Sequence, residues 1–394
     1  MRFVLFHPGT QHSRQTARAL ATLDRLAFFA TSLFPSEAVA RRFPQLAAFT
    51  DSDLDRALVR QFGHEEWAER IAARLGMRSL AGWIDRLGNR RFGTRVAGAA
   101  ARRQAGLWGF DGSSATAFAD ARFGERIKIL DRTIGDWRTW NAIAPGLREE
   151  WGDWFTPADA PVSERRIAND RAEYTAATHI LTPAPFVART IARHEGADIA
   201  DKCVDLPYAH DDRLFARLTE PEPVPASEPV RFLFVGHLSL RKGLPYLLAA
   251  FARLPVEARL TLVGELAVRP ERLTPFADRV DYVGRVSRAD MPALMRRHHA
   301  LVLPSWFEGS AIALLEAQAS GLAIVQTRMA GRGASEGSGF VIDRPDIDAL
   351  EAAMTRLLDR DLLSAMRVEA WRSSRAHDHA AYTAAIGRFL TSLG

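Results

Sequence analysis

The sequence predicts an α/β protein built from two doubly wound parallel-sheet domains. Three observations lead there. The chain has 394 residues, above the ~250–300 at which one hydrophobic core stops growing. It opens with a short apolar strand at residues 2–7, the turn Pro8-Gly9-Thr10 and a helical pattern through Leu20, the first unit of such a domain. From 230 to 330, strands and helices alternate strictly, which calls for a parallel sheet with helices on both faces.

Taken in order, residues 34–104 read as mostly helical, with few β-branched residues, and further strands are expected at 107–110, 127–130 and 179–182. The segment 219–229 carries Pro221, Pro223, Pro225 and Pro229; alternating prolines fit neither a helix nor a central strand, so this is an extended connector or surface loop. Beyond it come strands at 230–235, 259–263, 280–283, 300–303 and 323–326, with helices at 244–254, 292–298 and 311–320. The stretch from Ile347 is helical, with Trp371, Tyr382, Ile386 and Phe389 as expected buried positions.

Composition narrows the class. Hydrophobic residues are 47% and charged residues 25%, as in globular proteins and unlike disordered ones. A single cysteine, Cys203, excludes an internal disulfide framework and suits a reducing cytoplasm. No segment reads as a signal peptide or reaches the ~20 apolar residues of a membrane span, so a soluble cytoplasmic protein is expected. Net charge is +5, unevenly spread: Arg70, Arg74, Arg78, Arg86, Arg90, Arg91, Arg95, Arg102 and Arg103 crowd one stretch with little acid beyond Asp85. Residues 70–103 are either a solvated helical face or a peripheral contact with anionic lipid headgroups or an acidic acceptor. No nucleic-acid partner is expected.

In open parallel sheets ligands sit beyond the carboxyl ends of the strands, so the loops after the strands of 230–330 carry the chemistry. Gly236-His237-Leu238-Ser239-Leu240-Arg241-Lys242-Gly243 leads into a helix. Two cations at a helix start, where backbone N–H groups already attract anions, suit a diphosphate. In Pro304-Ser305-Trp306-Phe307-Glu308-Gly309-Ser310-Ala311-Ile312 the small residues allow close backbone approach. Glu316 lies eight residues past Glu308 inside an otherwise apolar run; a buried carboxylate needs a partner. Two carboxylates flanking a helix mouth match the hydroxyl-rich sugar and ribose on either side of a diphosphate. Gly264 and the stretch Gly284-Arg285-Val286 end two further strands over the same edge, leaving room for a planar base.

Residues 230–330 resemble the C-terminal domain of the retaining glycosyltransferase family 4 (group 1) enzymes. The motifs are FVGHLSLRKGLPYLLAAF, LTLVGE and VDYVGRVSRADMPALMRRHHALVLPSWFEGSAIALLEAQASGLAIVQT, with Glu308 and Glu316 as the family's glutamate pair in a Pro-Ser-x-x-Glu-Gly setting. A weaker likeness spans 179–213. The resemblance implies the GT-B fold, two Rossmann-like domains facing a central cleft: 1–208 on the acceptor side, completed by a returning helix at 372–394, and 209–371 on the donor side. It implies transfer of a sugar from a UDP or GDP sugar to a glycan or lipid-linked acceptor, with retention and without a metal or other cofactor. It implies that Arg241 and Lys242 hold the diphosphate, Glu308 the sugar, the Ser310, Ala311 and Ile312 amides sugar and phosphate, Glu316 the ribose and the Arg285–Val286 backbone the base. Gly9, Gly236, Gly264 and Gly309 would line the donor path.

Two departures stand out. The family's arginine after the first glycine is His237 here, with Arg241 supplying the charge instead. The family's histidine near an N-domain strand end is replaced at Phe110, and Asp111 becomes the candidate for part of its role; Asp131 and Asp136 are further acidic candidates. Asp51-Ser52-Asp53 resembles a metal motif of another fold, but lies away from the donor loops and reads as a helix cap. A dinucleotide-dependent dehydrogenase is excluded because no Gly-x-Gly-x-x-Gly follows a strand. A nucleotide-sugar epimerase lacks motif support. A non-catalytic nucleotide-sugar-binding paralogue or assembly partner is the alternative that His237 and Phe110 leave open.

Overall fold

The computed structural model describes residues 1–9, 12–43, 46, 49–62 and 77–394, with the backbone alone over 78–87. It contains two fully parallel sheets. The first holds β1 (Phe3–Phe6), β2 (Leu26–Thr31), β3 (Val59–Gln61), β4 (Gly106–Phe110), β5 (Lys128–Asp131), β6 (His179–Thr182) and β7 (Cys203–Asp205), in the order β3-β2-β1-β4-β5-β6-β7. The second holds β8 (Arg231–Val235), β9 (Arg259–Val263), β10 (Val280–Gly284), β11 (Ala300–Leu303), β12 (Ala323–Thr327) and β13 (Gly339–Ile342), in the order β10-β9-β8-β11-β12-β13. Each order reverses once, between β1 and β4 and between β8 and β11, and these reversals are where ligand crevices open.

The strands read as apolar runs because both sheet faces are covered: β1, β4 and β11 are buried throughout. Helix α1 (Ser13–Thr22) packs on the last helix (His379–Ser392), where Thr16 Oγ1 and Tyr382 Oη lie 2.8 Å apart. The C-terminal helix thus lies on the first sheet's domain. Tyr382, Ile386 and Phe389 are buried. Trp371 is a correction: it is only half-buried, its indole N–H turned toward the Leu218 carbonyl at a long 3.4 Å, because its ring lies under the exposed Arg375 guanidinium and not under core side chains.

The helical expectation for 34–104 holds only in part. The strand β3 lies inside it, a three-residue edge strand whose polar Arg60 and Gln61 hide its β character. Helix α2 (Arg78–Arg102) occupies its second half. Over the described side chains, Phe92, Val96 and Ala100 are buried on the sheet while Arg90, Arg91, Arg95, Arg102 and Arg103 are exposed, as both readings of the basic stretch require. Arg70 and Arg74, and the side chains of Arg78 and Arg86, lie outside the described residues. Among the described residues, no helix is long and apolar enough to cross a membrane. Asp51 and Asp53 cap no helix; they hold the Arg213 guanidinium at 3.0 and 3.1 Å.

The domains are joined by a shared core. Helix α3 (Trp137–Glu150), which follows β5 of the first sheet, buries Trp140, Ala144 and Leu147 with the side chains of the second. Phe307, fully buried, sits among Trp137, Trp140 and Phe186 with ring centroids 5.1, 6.1 and 6.0 Å away. Backbone pairing seals this seam: Ile134 and Gly309 form an antiparallel bridge, and the Gly135 N–H donates to the Glu308 carbonyl at 3.1 Å. Gly309 is required, because a Cβ there would lie 1.7 Å from the Thr133 carbonyl oxygen. Phe307→Ala should therefore lower stability by about 3–5 kcal/mol, read as a shifted urea midpoint by tryptophan fluorescence. A change under ~1 kcal/mol would mean that the aromatic seam is not a packed core.

Candidate active site between the two sheets

The two reversal points face one another across a single cavity of about 520 Å3. From the first domain come His12 after β1, Asp111 after β4, Thr133, Ile134 and Trp137 after β5, and Arg166 from α4 (Glu164–Ala176). From the second come Val235 and Gly236 at the end of β8, Lys242, and Glu308 to Ala313 after β11. The shared core and the Ile134–Gly309 bridge bring these segments together.

Lys242 Nζ lies 2.6 Å from Glu308 Oε1, and Arg241 Nη1 reaches the same oxygen at 2.9 Å. Burial opposes the Glu308 charge, yet the two cations outweigh it and hold the carboxyl below its ordinary range. Burial lowers Lys242, with Glu308 acting against it. The two neighbouring cations are not equivalent. Arg241 also donates to the Phe307 carbonyl at 2.7 Å, its own N–H meets Asp159 Oδ1 at 3.1 Å, and it does not line the cavity. It braces Glu308 from behind, and Lys242 is the cation at the cavity wall. Gly243 precedes α6 (Leu244–Ala252) with φ +75, and a Cβ there would fall 1.9 Å from the Pro304 carbonyl oxygen. That close approach is what sets the two loops side by side.

Helix α7 (Ile312–Ala319) starts without a side-chain cap, and its first residues line the cavity; an uncapped helix start offers N–H groups and partial positive charge to an anion. Two further donors on cavity-lining residues, Ser310 Oγ and Trp137 Nε1, are buried and have no partner among the described residues. Both are therefore free to donate to a group that enters the cavity. Glu316 sits on α7, its side chain 12% exposed, with Arg288 Nη2 3.5 Å away. Burial raises its pKa, with Arg288 acting against the rise.

The remaining residues singled out in the sequence fall around this cavity without lining it. Gly264, at φ +137, packs its backbone on Gly236, where a Cβ would lie 1.8 Å from the Gly236 carbonyl oxygen. Arg285 is largely exposed and pairs with Glu265, and Val286 is partly buried against the second domain's core. His237 is half-buried. Gly9 donates its N–H to His7 Nδ1 at 3.0 Å. Among the described residues no group of three or more His, Cys, Asp or Glu side chains could hold a metal ion.

Of the first domain's contribution, the sequence pointed to Asp111 but not to its partners Thr133, Arg132 and Arg166. Asp111 is not a solvated loop carboxylate. It accepts from the Thr133 N–H and Oγ1–H at 2.9 and 2.6 Å, and pairs with Arg166 at 3.1 Å and Arg132 at 3.6 Å. Burial opposes its charge, but both guanidinium groups and the Thr133 donors outweigh burial and hold it below its ordinary range. Arg132, fully buried, also pairs with Asp170 at 2.8 Å and donates to the Ile134 and Gly135 carbonyls. Asp136 caps α3 and pairs with Arg138; Asp131 accepts from the Tyr208 hydroxyl at 2.7 Å. Neither lines the cavity. The imidazole absent at Phe110 has neighbours instead: His7 meets the Phe110 ring edge at 5.5 Å, and His12, lining the cavity, stacks on Tyr208 at 4.0 Å. Burial lowers both to about 4, so each is neutral near pH 7.

Residues 229–360 match the family model described as Glycosyl transferases group 1 and form a domain of that kind. O-antigen chain mannosyltransferase B of Escherichia coli is 30% identical over 140 residues, covering 33% of this chain and 37% of that protein. D-inositol 3-phosphate glycosyltransferase of Pseudarthrobacter chlorophenolicus is 31% identical over 205 residues, covering 48% and 47%. The chain thus spans less than half the length of these relatives. Among solved structures, sucrose-phosphate synthase from Thermosynechococcus elongatus superposes with a TM-score of 0.66 at 17% identity over 100% of this chain and 99% of that one. Anabaena HepE in complex with UDP gives 0.62 at 15% identity over 100% of both. The fold is GT-B.

One buried acid shapes the Asp111 loop and sets a pH dependence. Glu173 accepts from the N–H groups of Gly112, Ser114 and Ala115 at 2.9, 2.8 and 3.2 Å, and burial raises it from 4.5 to about 7. A raised folded pKa gives stability that is complete below about pH 4.5 and lost as pH rises through about 7. Asp131, also raised to about 7, is common to native protein and variant and cancels between them. The stability of native protein relative to Glu173→Gln should therefore fall by about 1.4 kcal/mol per pH unit across that window, read from urea midpoints. A flat difference would show that Glu173 does not hold its proton.

Proposed function

We propose that this chain is a glycosyltransferase that moves a hexosyl group from a nucleoside diphosphate sugar to a hydroxyl of a glycan or lipid-linked acceptor, with retention and without a resident metal. The observation that carries the reading is the convergence on one cavity of Lys242, the uncapped start of α7 and Glu308. A relative named as an O-antigen chain mannosyltransferase and a structural neighbour holding UDP support it, and the former is in keeping with a role in cell-surface glycan synthesis.

In this reading the diphosphate replaces Glu308 as the partner of Lys242 and takes the N–H groups at the start of α7. Glu308, released toward the sugar, accepts from its hydroxyls, and Arg241 keeps that carboxylate charged. As the anomeric carbon–oxygen bond breaks, negative charge grows on the leaving phosphate. Lys242 and the helix start are fixed where that charge develops, which is the largest single aid an enzyme of this kind can offer. The acceptor oxygen bonds to the anomeric carbon on the face the diphosphate leaves, and its proton passes to the departing phosphate oxygen. Asp111, fixed and anionic, faces the same space and orients the acceptor. Glu316, short of a strong partner, takes the ribose hydroxyls, and the base rests along the Gly264 and Arg285–Val286 strand ends.

The binding-only reading is favoured by the absence of a histidine at Phe110, and product analysis decides between the two. Transfer with a product of unchanged anomeric configuration by NMR supports the enzyme; nucleotide-sugar binding with neither transfer nor hydrolysis supports the paralogue. Lys242→Ala should lower turnover about a hundredfold to a thousandfold, while Arg241 still neutralises Glu308 and keeps the fold. Undiminished transfer would overturn the phosphate assignment. Glu316→Ala should weaken nucleoside diphosphate binding about tenfold or more. It should also abolish the preference for the ribonucleotide over its 2′-deoxy form; a preference that survives would place the ribose elsewhere.

A further inference from the structure

Next to the donor cavity lies a second, of about 590 Å3, and Arg166 lines both. Its wall holds Arg90 from α2 and Arg165 and Arg166 from α4, with Ser113, Thr116 and Asn169 among the polar groups between them. No carboxylate lines it among the described residues. The charges behind it cancel, because Arg132 and Arg166 are matched by Asp111 and Asp170. Arg90 and Arg165 are exposed and make no ion pair among the described residues, so their charge is left for something that enters. The partition between the cavities is thin. Gly112, at φ +86, lies under the Arg166 guanidinium, and a Cβ there would come within 2.9 Å of Arg166 Nη1. The positive φ favours glycine there, and Arg166 Nη1 lies over that loop while its Nε and Nη2 are held by Asp170 and Asp111.

We propose that this second cavity binds the phosphate of a phosphorylated acceptor sugar, whose hydroxyl reaches the donor past Arg166. The inference rests on the transferase reading for the acceptor's role, and on the arginine wall for the phosphate. Planar guanidinium groups match phosphate oxygens in pairs, and the two unmatched ones, Arg90 and Arg165, favour a dianion over a monoanionic carboxylate. Hydroxyl and amide side chains among the arginines suit the sugar that carries it. Asp111, on the donor side of the partition, is placed to accept from that sugar's hydroxyl and would repel its phosphate, which fixes the direction in which the acceptor lies.

Calorimetric titration with mannose 6-phosphate and with mannose tests this on the full chain, on Lys242→Ala, and on Arg90→Gln/Arg165→Gln. The phosphorylated sugar should bind about tenfold tighter or more, equally in Lys242→Ala, and the double variant should lose most of that preference. Equal affinity for the two sugars would overturn the proposal. So would a preference that survives the double variant, or one that vanishes with Lys242, since the phosphate would then sit in the donor site. UDP and GDP titrations on the same proteins read the donor site separately; if neither binds while the mannose 6-phosphate preference remains, the donor reading fails and the anion site stands. Co-sedimentation with phosphatidylcholine vesicles carrying undecaprenyl phosphate, lost in the double variant, would assign the phosphate to a lipid carrier. Without it, mannose 6-phosphate binding assigns the phosphate to the glycan itself.

Discussion

Three successive residues after β11 hold this protein in its working shape, each by a different interaction. Phe307 turns inward and fills the aromatic seam with Trp137, Trp140 and Phe186. Glu308 turns to the cavity and gathers Arg241 and Lys242. Gly309 offers only backbone, bridging to Ile134 of the other domain. The hydrophobic contact supplies the energy, the backbone bridge supplies the register, and the carboxylate between them is thereby fixed to a fraction of a side-chain length. A movable hinge at this point would separate the two halves of the cavity, whereas a shared core makes their alignment part of folding itself.

The buried carboxylates around the cavity show how environment separates otherwise similar groups. Asp111 and Glu173 both serve the loop after β4, and both are buried. Asp111 meets two guanidinium groups and two donors on Thr133, so its charge survives burial. Glu173 meets three backbone N–H groups but no cation, with Asp111 and Asp170 adding repulsion, so burial prevails and its pKa rises. Hydrogen bonds from neutral amides do not replace a counter-charge in a low-dielectric interior. The anionic group facing the cavity is thus the one with cations behind it, and the group that shapes the loop is the one that can be neutral.

The second domain's half of the cavity was legible in the sequence because its residues are contiguous. One strand, one loop and one helix carry residues 236–243, and the same is true of 304–316, so glycine positions and spacing speak directly for close backbone approach. In the first domain's half only Asp111 was singled out, because Thr133, Arg166 and His12 come from separate loops or helices that share no period. Nothing local distinguishes Arg132, the most buried charge of the group, from the many exposed arginines around it. The substitution at Phe110 looked like a loss when the strand was read alone. At the sheet's reversal point the neighbouring strand end lies alongside, and His7 and His12 arrive from there. Strand β3 escaped notice for a related reason: an edge strand of three residues has too little buried surface to impose a pattern.

The charge distribution gives the cavity a direction. On the second domain's side the arrangement is short of negative charge: two cations share one carboxylate, and an uncapped helix start adds partial positive charge. On the first domain's side the buried charges cancel, and the two imidazoles near them are neutral. An anion entering between the sheets is therefore drawn to one wall only, and its neutral end is left against a wall that can form hydrogen bonds without attracting or repelling it. On the proposed reading, this asymmetry orients the donor with its diphosphate on the second domain and its sugar toward the first. The same asymmetry would keep a phosphorylated acceptor from falling into the diphosphate site only if it had a positive wall of its own, and the arginines beyond Gly112 are placed to be that wall.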